Sequence, residues 1–126
     1  MKLRSALAMA TLSSIAVGTA VHTLHAQAKP PGYLVAINEI FDQEGYLRDY
    51  LPTAQKILKD HGGVIVASGT GTPIDGSFPK GRVVVLKFDS MEALLGWRHS
   101  PEYEKIRKVG EAFGNYNLIA VEGPKQ

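Results

Sequence analysis

The stretch Arg82-Val83-Val84-Val85-Leu86-Lys87-Phe88, followed by Asp89-Ser90-Met91-Glu92, a run through Trp97, and Ser100-Pro101-Glu102-Tyr103, decides the fold. Four consecutive apolar, mostly β-branched residues favour an extended strand. An antiparallel strand with one wet face alternates apolar and polar residues. This one does not, so both of its faces are expected to be covered. Ser90 suits a helix N-cap, with Glu92 near the positive helix end. Ser100-Pro101-Glu102 repeats that signal more strongly: a capping hydroxyl, Pro at the first helical position, then an acid. Because the residue before Pro is driven out of the α region, a helix break is predicted near His99–Ser100.

Outward from that stretch, Tyr33 to Phe41 reads as a first strand. Asp42 can cap a helix starting at Gln43, and Leu47, Tyr50, Leu51, Ala54, Ile57 and Leu58 recur at helical spacing. Pro52 lies inside that pattern and predicts a kink or split near Tyr50. His61-Gly62-Gly63 ends the helix, with Gly62 suited to a left-handed C-terminal position. Val64 to Ser68 is a second strand, and the Gly-, Thr- and Pro-rich residues 69–81 form a long turn into the third. Downstream, Ile106, Val109 and Phe113 mark the inward face of the helix begun at Ser100. Gly114-Asn115 stops it, and Tyr116 to Glu122 is the last strand. The order β-α-β-β-α-β predicts a ferredoxin-like α+β fold: a four-stranded antiparallel sheet with two helices on one face. The other face is apolar and has nothing left in the chain to cover it. A second copy is the simplest cover, which predicts a homodimer.

Residues 1–28 stand apart. Lys2 and Arg4 begin them, small apolar residues follow, and Ala26-Gln27-Ala28 ends them. That is the pattern of a secretory signal peptide cut after Ala28, leaving residues 29–126 as a secreted or periplasmic domain with no stable membrane anchor. Cleavage leaves 98 of the 126 residues and removes two of 14 basic ones, so 12 basic residues face 12 acidic. A near-neutral domain lacks the electrostatic motive for nucleic-acid binding. With no cysteine there is no disulfide, thiolate metal site or cysteine nucleophile. The mature domain has only His61 and His99, in no ligand spacing, so no metal is expected. Gly69-Thr70-Gly71 does not open a helix and fails as a phosphate loop. No serine sits in a glycine-flanked elbow.

The run from Val83 to Ala93, with Trp97, Ser100-Pro101-Glu102-Tyr103, Arg107, the closing Val121-Glu122-Gly123 and the earlier His61-Gly62-Gly63, resembles the "domain of unknown function 1330" family. The likeness covers nearly all of the mature chain. It implies the dimeric α/β-barrel superfamily, in which two such sheets face each other and each subunit holds a small pocket between sheet and helices. Members of the superfamily include cofactor-free monooxygenases, lactone isomerases and haem-degrading enzymes. The chain departs from the family at Lys87, Asp89 and Arg98-His99, which make this region more polar. In haem-degrading relatives an Asn on the first strand and a Trp on the helix line the pocket, which singles out Asn38 and Trp97. Their iron ligand is a His where this chain has Arg107, which is no usual haem ligand, so no cofactor is expected.

Tyr103 and Arg107 lie one helical turn apart and share a face, where a phenol and a guanidinium can hold a carboxylate or enolate. Arg107 has Glu104 and Glu111 within helical reach as surface partners, and Glu39 as a partner from the first strand. His61 is a candidate general base, or a donor to the last helix carbonyls. The candidate catalytic residues are therefore Arg107, Tyr103 and His61, and the candidate ligand-binding residues Asn38, Trp97, Tyr103 and Arg107. Two readings stay open. One is a cofactor-free enzyme of monooxygenase or isomerase type acting on a small organic acid or aromatic compound. The other is a non-catalytic periplasmic dimer that binds a small ligand or serves structurally.

Overall fold

Strands form where the β-branched runs predict them: β1 (Gly32–Ile40), β2 (Val64–Thr70), β3 (Arg82–Phe88) and β4 (Gly114–Glu122). The computed structural model describes residues 29–125, so the expected leader, residues 1–28, lies outside the described residues. β1 and β4 are displaced by one and two residues from their expected starts, and β2 runs on to Thr70. The strands pair antiparallel in the order β2-β3-β1-β4, which puts β1 and β3 at the centre.

Both expected helices are interrupted, each by a proline. In the first, Asp42 caps α1 (Gln43–Gly45) by accepting the Gly45 N–H at 3.0 Å. A π-helical segment, Tyr46–Tyr50, follows and then α2 (Leu51–Asp60). Pro52 has no N–H to return to the Arg48 carbonyl, and its ring crowds that carbonyl. The turn before it widens, and the Leu51 N–H reaches back five residues to Tyr46. At the far end Gly62, at φ +79, lets Gly62 and Gly63 bond the Lys59 and Leu58 carbonyls and close the helix. The second helix is α3 (Met91–Arg98) and α4 (Pro101–Gly110), broken at His99–Ser100 as Pro101 predicts. Ser90 and Ser100 are the N-caps, accepting from Ala93 and Tyr103. No helix among the described residues is long and apolar enough to cross a membrane.

All helices lie against one face of the sheet. Alternate residues Leu34 and Ala36 of β1 point to it, opposite Leu86 and Val84 on β3 and Ala120 and Leu118 on β4. The core there joins Leu34, Leu86 and Phe88 to Ile57 and Leu58 of α2, Leu94 and Trp97 of α3, and Tyr103 and Ile106 of α4. Each such side chain contributes roughly 1.5–3 kcal/mol by leaving water. This is the ferredoxin-like architecture. Two expected inward residues are not core. Val109 is exposed, because α4 turns Tyr103, Ile106 and Gly110 inward instead. Leu47 is also exposed, because the π turn shifts the helical phase and sets it over open space.

The other face has no helix. It carries Tyr33, Val35 and Ile37 of β1, Val83 and Val85 of β3, and Ile119 and Val121 of β4. Within the single chain Ile119 is 69% exposed and Val121 55%. The expectation that both faces of β3 are covered therefore holds, within one chain, for the helix side alone.

Candidate functional site

Between the helices and the sheet lies a cavity of about 1040 Å³. β1 contributes Leu34, Ala36 and Asn38 to its floor, β3 contributes Arg82, Val84 and Leu86, and β4 contributes Tyr116 and Leu118. Tyr46, Tyr50, Trp97, Tyr103 and Arg107 close it from the helical side. Of the residues the sequence singled out, Asn38, Trp97, Tyr103 and Arg107 line this space and His61 does not. His61 ends α2, where Nε2 meets Glu102 Oε1 at 2.7 Å and ties α2 to the first turn of α4. That bond holds the Glu102 carboxyl below its usual range.

Aromatic rings form one continuous wall. Trp97 packs between Phe88 and Tyr103, at centroid distances of 5.3 and 4.4 Å. The Tyr103 and Tyr50 hydroxyls lie 3.1 Å apart, and the Tyr50 ring neighbours Tyr46 at 5.1 Å and Tyr116 at 6.4 Å. The Tyr116 hydroxyl donates to the Gly110 carbonyl at 2.6 Å. Gly110 is required here, since a Cβ would stand 2.7 Å from the Tyr50 ring. Burial, reinforced by the neighbouring hydroxyls, pushes the Tyr50 and Tyr46 phenols up, and pushes Tyr116 up to about 12. These phenols therefore stay protonated at neutral pH and present donors and lone pairs, not bases.

Sequence reasoning passed over Tyr46 and Tyr116 as site residues and used Tyr50 only as core. The i, i+4 spacing of Tyr46 and Tyr50 was the available signal. Tyr116 and Arg82 carried none, since only strand pairing brings them in.

Arg107 takes the surface partners that helical spacing offered it. Arg107 is bound by Glu104, at 2.9 Å, and by Glu111, both on its own helical stretch. Those bonds raise the Arg107 pKa further and lower that of Glu104. Glu39 does not reach Arg107 and instead accepts from Asn115 at 3.4 Å. Arg107 is one of three cations on this wall among the described residues. Arg98 also lines it, bonding Glu104 at 3.1 Å and lying 5.3 Å over the Tyr103 ring. Arg82 lines it too, and bonds Ser68 Oγ through Nε at 3.1 Å.

Three buried polar atoms of the lining have no hydrogen-bond partner: Asn38 Oδ1, Trp97 Nε1 and Arg107 Nε. Buried polar groups are nearly always satisfied, so three together in one cavity call for a partner from outside the chain. Among the described residues the cavity offers haem iron no imidazole, as neither His61 nor His99 lines it. Among the described residues no three His, Asp or Glu side chains gather as metal ligands would.

No curated protein matches the chain. Among solved structures it is similar to RPA0582, a protein of unknown function from Rhodopseudomonas palustris. The identity is 16%, the TM-score 0.61, and the match covers 86% of this chain and 94% of that one. It is also similar to SnoaB, a cofactor-independent oxygenase from Streptomyces nogalater, at 8% identity and TM-score 0.54, covering 77% of this chain and 96% of that one. At these identities the likeness is one of fold. A family model described as a domain of unknown function, DUF1330, matches residues 31–124, and the chain belongs to that family.

Proposed function

We propose that this protein takes a small organic acid or aromatic compound into the cavity and acts on it there as a cofactor-free enzyme of monooxygenase or isomerase type. The observation that carries this reading is the set of unpaired buried polar atoms, Asn38 Oδ1 and Trp97 Nε1 above all, inside an otherwise aromatic and apolar lining. Protonated phenols and the indole N–H suit an oxyanion that develops on an enol or phenol. The fold shared with a cofactor-independent oxygenase supports this activity class.

Phenylpyruvate, an enolisable aromatic acid, tests this. The protein should speed exchange of its benzylic protons with deuterated solvent, read by NMR. Asn38→Ala, which removes the unpaired acceptor that would position the enol hydroxyl, should slow that exchange by about tenfold or more. Exchange no faster than in buffer removes the enzyme reading. It leaves the second one, a non-catalytic ligand-binding dimer, which the absence of histidine from the cavity lining favours.

The same proposal includes a homodimer joined through the helix-free faces, supported by the exposed apolar side chains of β1, β3 and β4. It also includes export, supported by the composition of residues 1–28. Mass spectrometry of the exported protein should find Lys29 at the N-terminus, and Met1 retained in the membrane fraction overturns export.

A further inference from the structure

Resting on the reading of the cavity as a ligand site, we propose that Arg82, Asn38 and Tyr46 form a hydroxy-acid-recognising end of it. Arg82 and Tyr46 receive the carboxylate, Asn38 receives the adjacent hydroxyl, and the apolar remainder points toward Trp97.

Strand register makes the first argument. Asn38 is the Cα partner of Arg82 on one side and of Tyr116 on the other, so the three stand in one row across the cavity floor. Directly opposed residues lie about 4.5–5.5 Å apart. That spacing suits two groups on neighbouring carbons of a ligand better than two ends of a long one.

Charge makes the second. Arg107 is taken by two carboxylates and Arg98 by one. Arg82 has no carboxylate partner among the described residues, and its bond to Ser68 uses only Nε, leaving both terminal nitrogens for a ligand. That bond depends on a bulge in β2. Ile65 and Ala67 oppose the consecutive residues Leu86 and Val85, so Val66 is extra. The extra residue reverses the faces taken by the rest of β2 and places Ser68 on the cavity side, opposite Val84. A strand irregularity thus serves to hold one guanidinium in position. Tyr46 lies within the field of Arg82, which pulls its phenol down against the larger upward push of burial.

The third is the sign of the unpaired atoms. Asn38 Oδ1 is a buried acceptor, so its missing partner is a donor, which a bare carboxylate is not. A hydroxyl beside the carboxylate is. Trp97 Nε1 is a buried donor toward the Phe88 end of the same strands and is free for an acceptor there. Leu34, Ala36 and Leu86 provide the apolar path between the two ends.

Trp97 is the single tryptophan of the chain and reports on binding by its emission, excited where phenyl rings do not absorb. The probes are 3-phenyllactate, 3-phenylpropanoate and 3-phenylpropanol. Phenyllactate is expected to bind tightest, at least fivefold over phenylpropanoate. Arg82→Gln should weaken both acids about tenfold and leave the alcohol within twofold, with Arg82→Lys recovering part of the loss. Asn38→Ala should abolish the preference for phenyllactate over phenylpropanoate. Arg82 is exposed, so its variants fold regardless of Asn38. Equal affinity for acid and alcohol, or acids unaffected by Arg82→Gln, overturns this assignment while the cavity remains a ligand site. No change in emission with any probe at millimolar concentration overturns both.

Discussion

Replacing Ser100 by Ala is expected to be among the costliest single-oxygen deletions in the molecule. Ser100 is the buried polar residue of the described core, 7% exposed. Its hydroxyl accepts the Tyr103 N–H at 3.3 Å and donates to the Trp97 carbonyl at 2.8 Å. Loss of a serine N-cap costs about 0.5–2 kcal/mol. Loss of the donated bond adds about 1 kcal/mol, because the Trp97 carbonyl then lacks that partner at a buried site. The sum is about 2 kcal/mol, and a domain of about 100 residues shifts by roughly 4–8 °C per kcal/mol, so Tm should fall by about 8–16 °C. The assay is thermal unfolding by circular dichroism at fixed protein concentration, with Ser100→Thr, which keeps the hydroxyl, as the control. Ser90→Ala removes a cap that makes only the accepted bond, from Ala93 at 3.0 Å, and should lose about half as much. A Tm for Ser100→Ala within 2 °C of the parent refutes the reasoning. So does a loss no greater than that of Ser90→Ala.

Val83→Asp, on the helix-free face, should yield a monomer on sizing. Val84→Asp, on the cavity side, should unfold the domain; equal behaviour refutes the assignment of faces. Gly110→Ala drives a methyl against the Tyr50 ring and should destabilise by about 1–3 kcal/mol while disturbing Trp97 emission through Tyr103; an unchanged melt and spectrum counts against the packing. Tyr116 has a folded pKa raised from 10.0 to about 12, so the stability it holds is complete below pH 10 and lost as pH rises toward 12. Tyr116→Phe should therefore flatten the alkaline limb of the stability profile; an unchanged limb refutes the shift. Glu104 is the opposite case, its pKa lowered by Arg107, so its contribution is present above the ordinary carboxylate range and lost in acid, and Glu104→Gln should flatten the acid limb.

Local chemistry was legible in the sequence and phase was not. The bounds of β3, the caps at Ser90 and Ser100, the left-handed Gly62 and the breaks near Pro52 and Pro101 all arise from short-range sterics and hydrogen bonding. Leu47 was misplaced because periodicity assumes a constant turn, and the π segment before Pro52 is not one. For Arg107 helical spacing named Glu104 and Glu111 as the acids within reach but left open whether they or a ligand take it; both acids do. Asn38, Tyr103 and Trp97 were visible as odd or aromatic residues on known elements. Arg82 was not, because its role depends on a bulge at Val66 and on pairing between strands far apart in sequence.

The cavity's chemistry turns on where a proton can go. Tyr46, Tyr50 and Tyr116 hold their protons more firmly than free phenols, by burial first and by neighbouring hydroxyls second, that of Tyr103 prominent among them. None accepts a proton at neutral pH, and each steadies a negative oxygen only by donating. Tyr116 already spends its proton on the Gly110 carbonyl, and one of the Tyr50–Tyr103 pair spends its own on the other. Among the described residues the cavity hydroxyl with no hydrogen-bond partner is that of Tyr46, which lies within the field of Arg82. The strongest field for an anion therefore lies at the Arg82 end, and the least polar lining lies along Leu34 and Leu86 toward Trp97. A molecule bound along that axis has its acid anchored in the polar end and its conjugated carbons desolvated. That is the arrangement in which a substrate carbanion or enolate gains most from its own delocalisation. On this reading the reactive group belongs to the ligand, and the protein supplies orientation, donors and dryness.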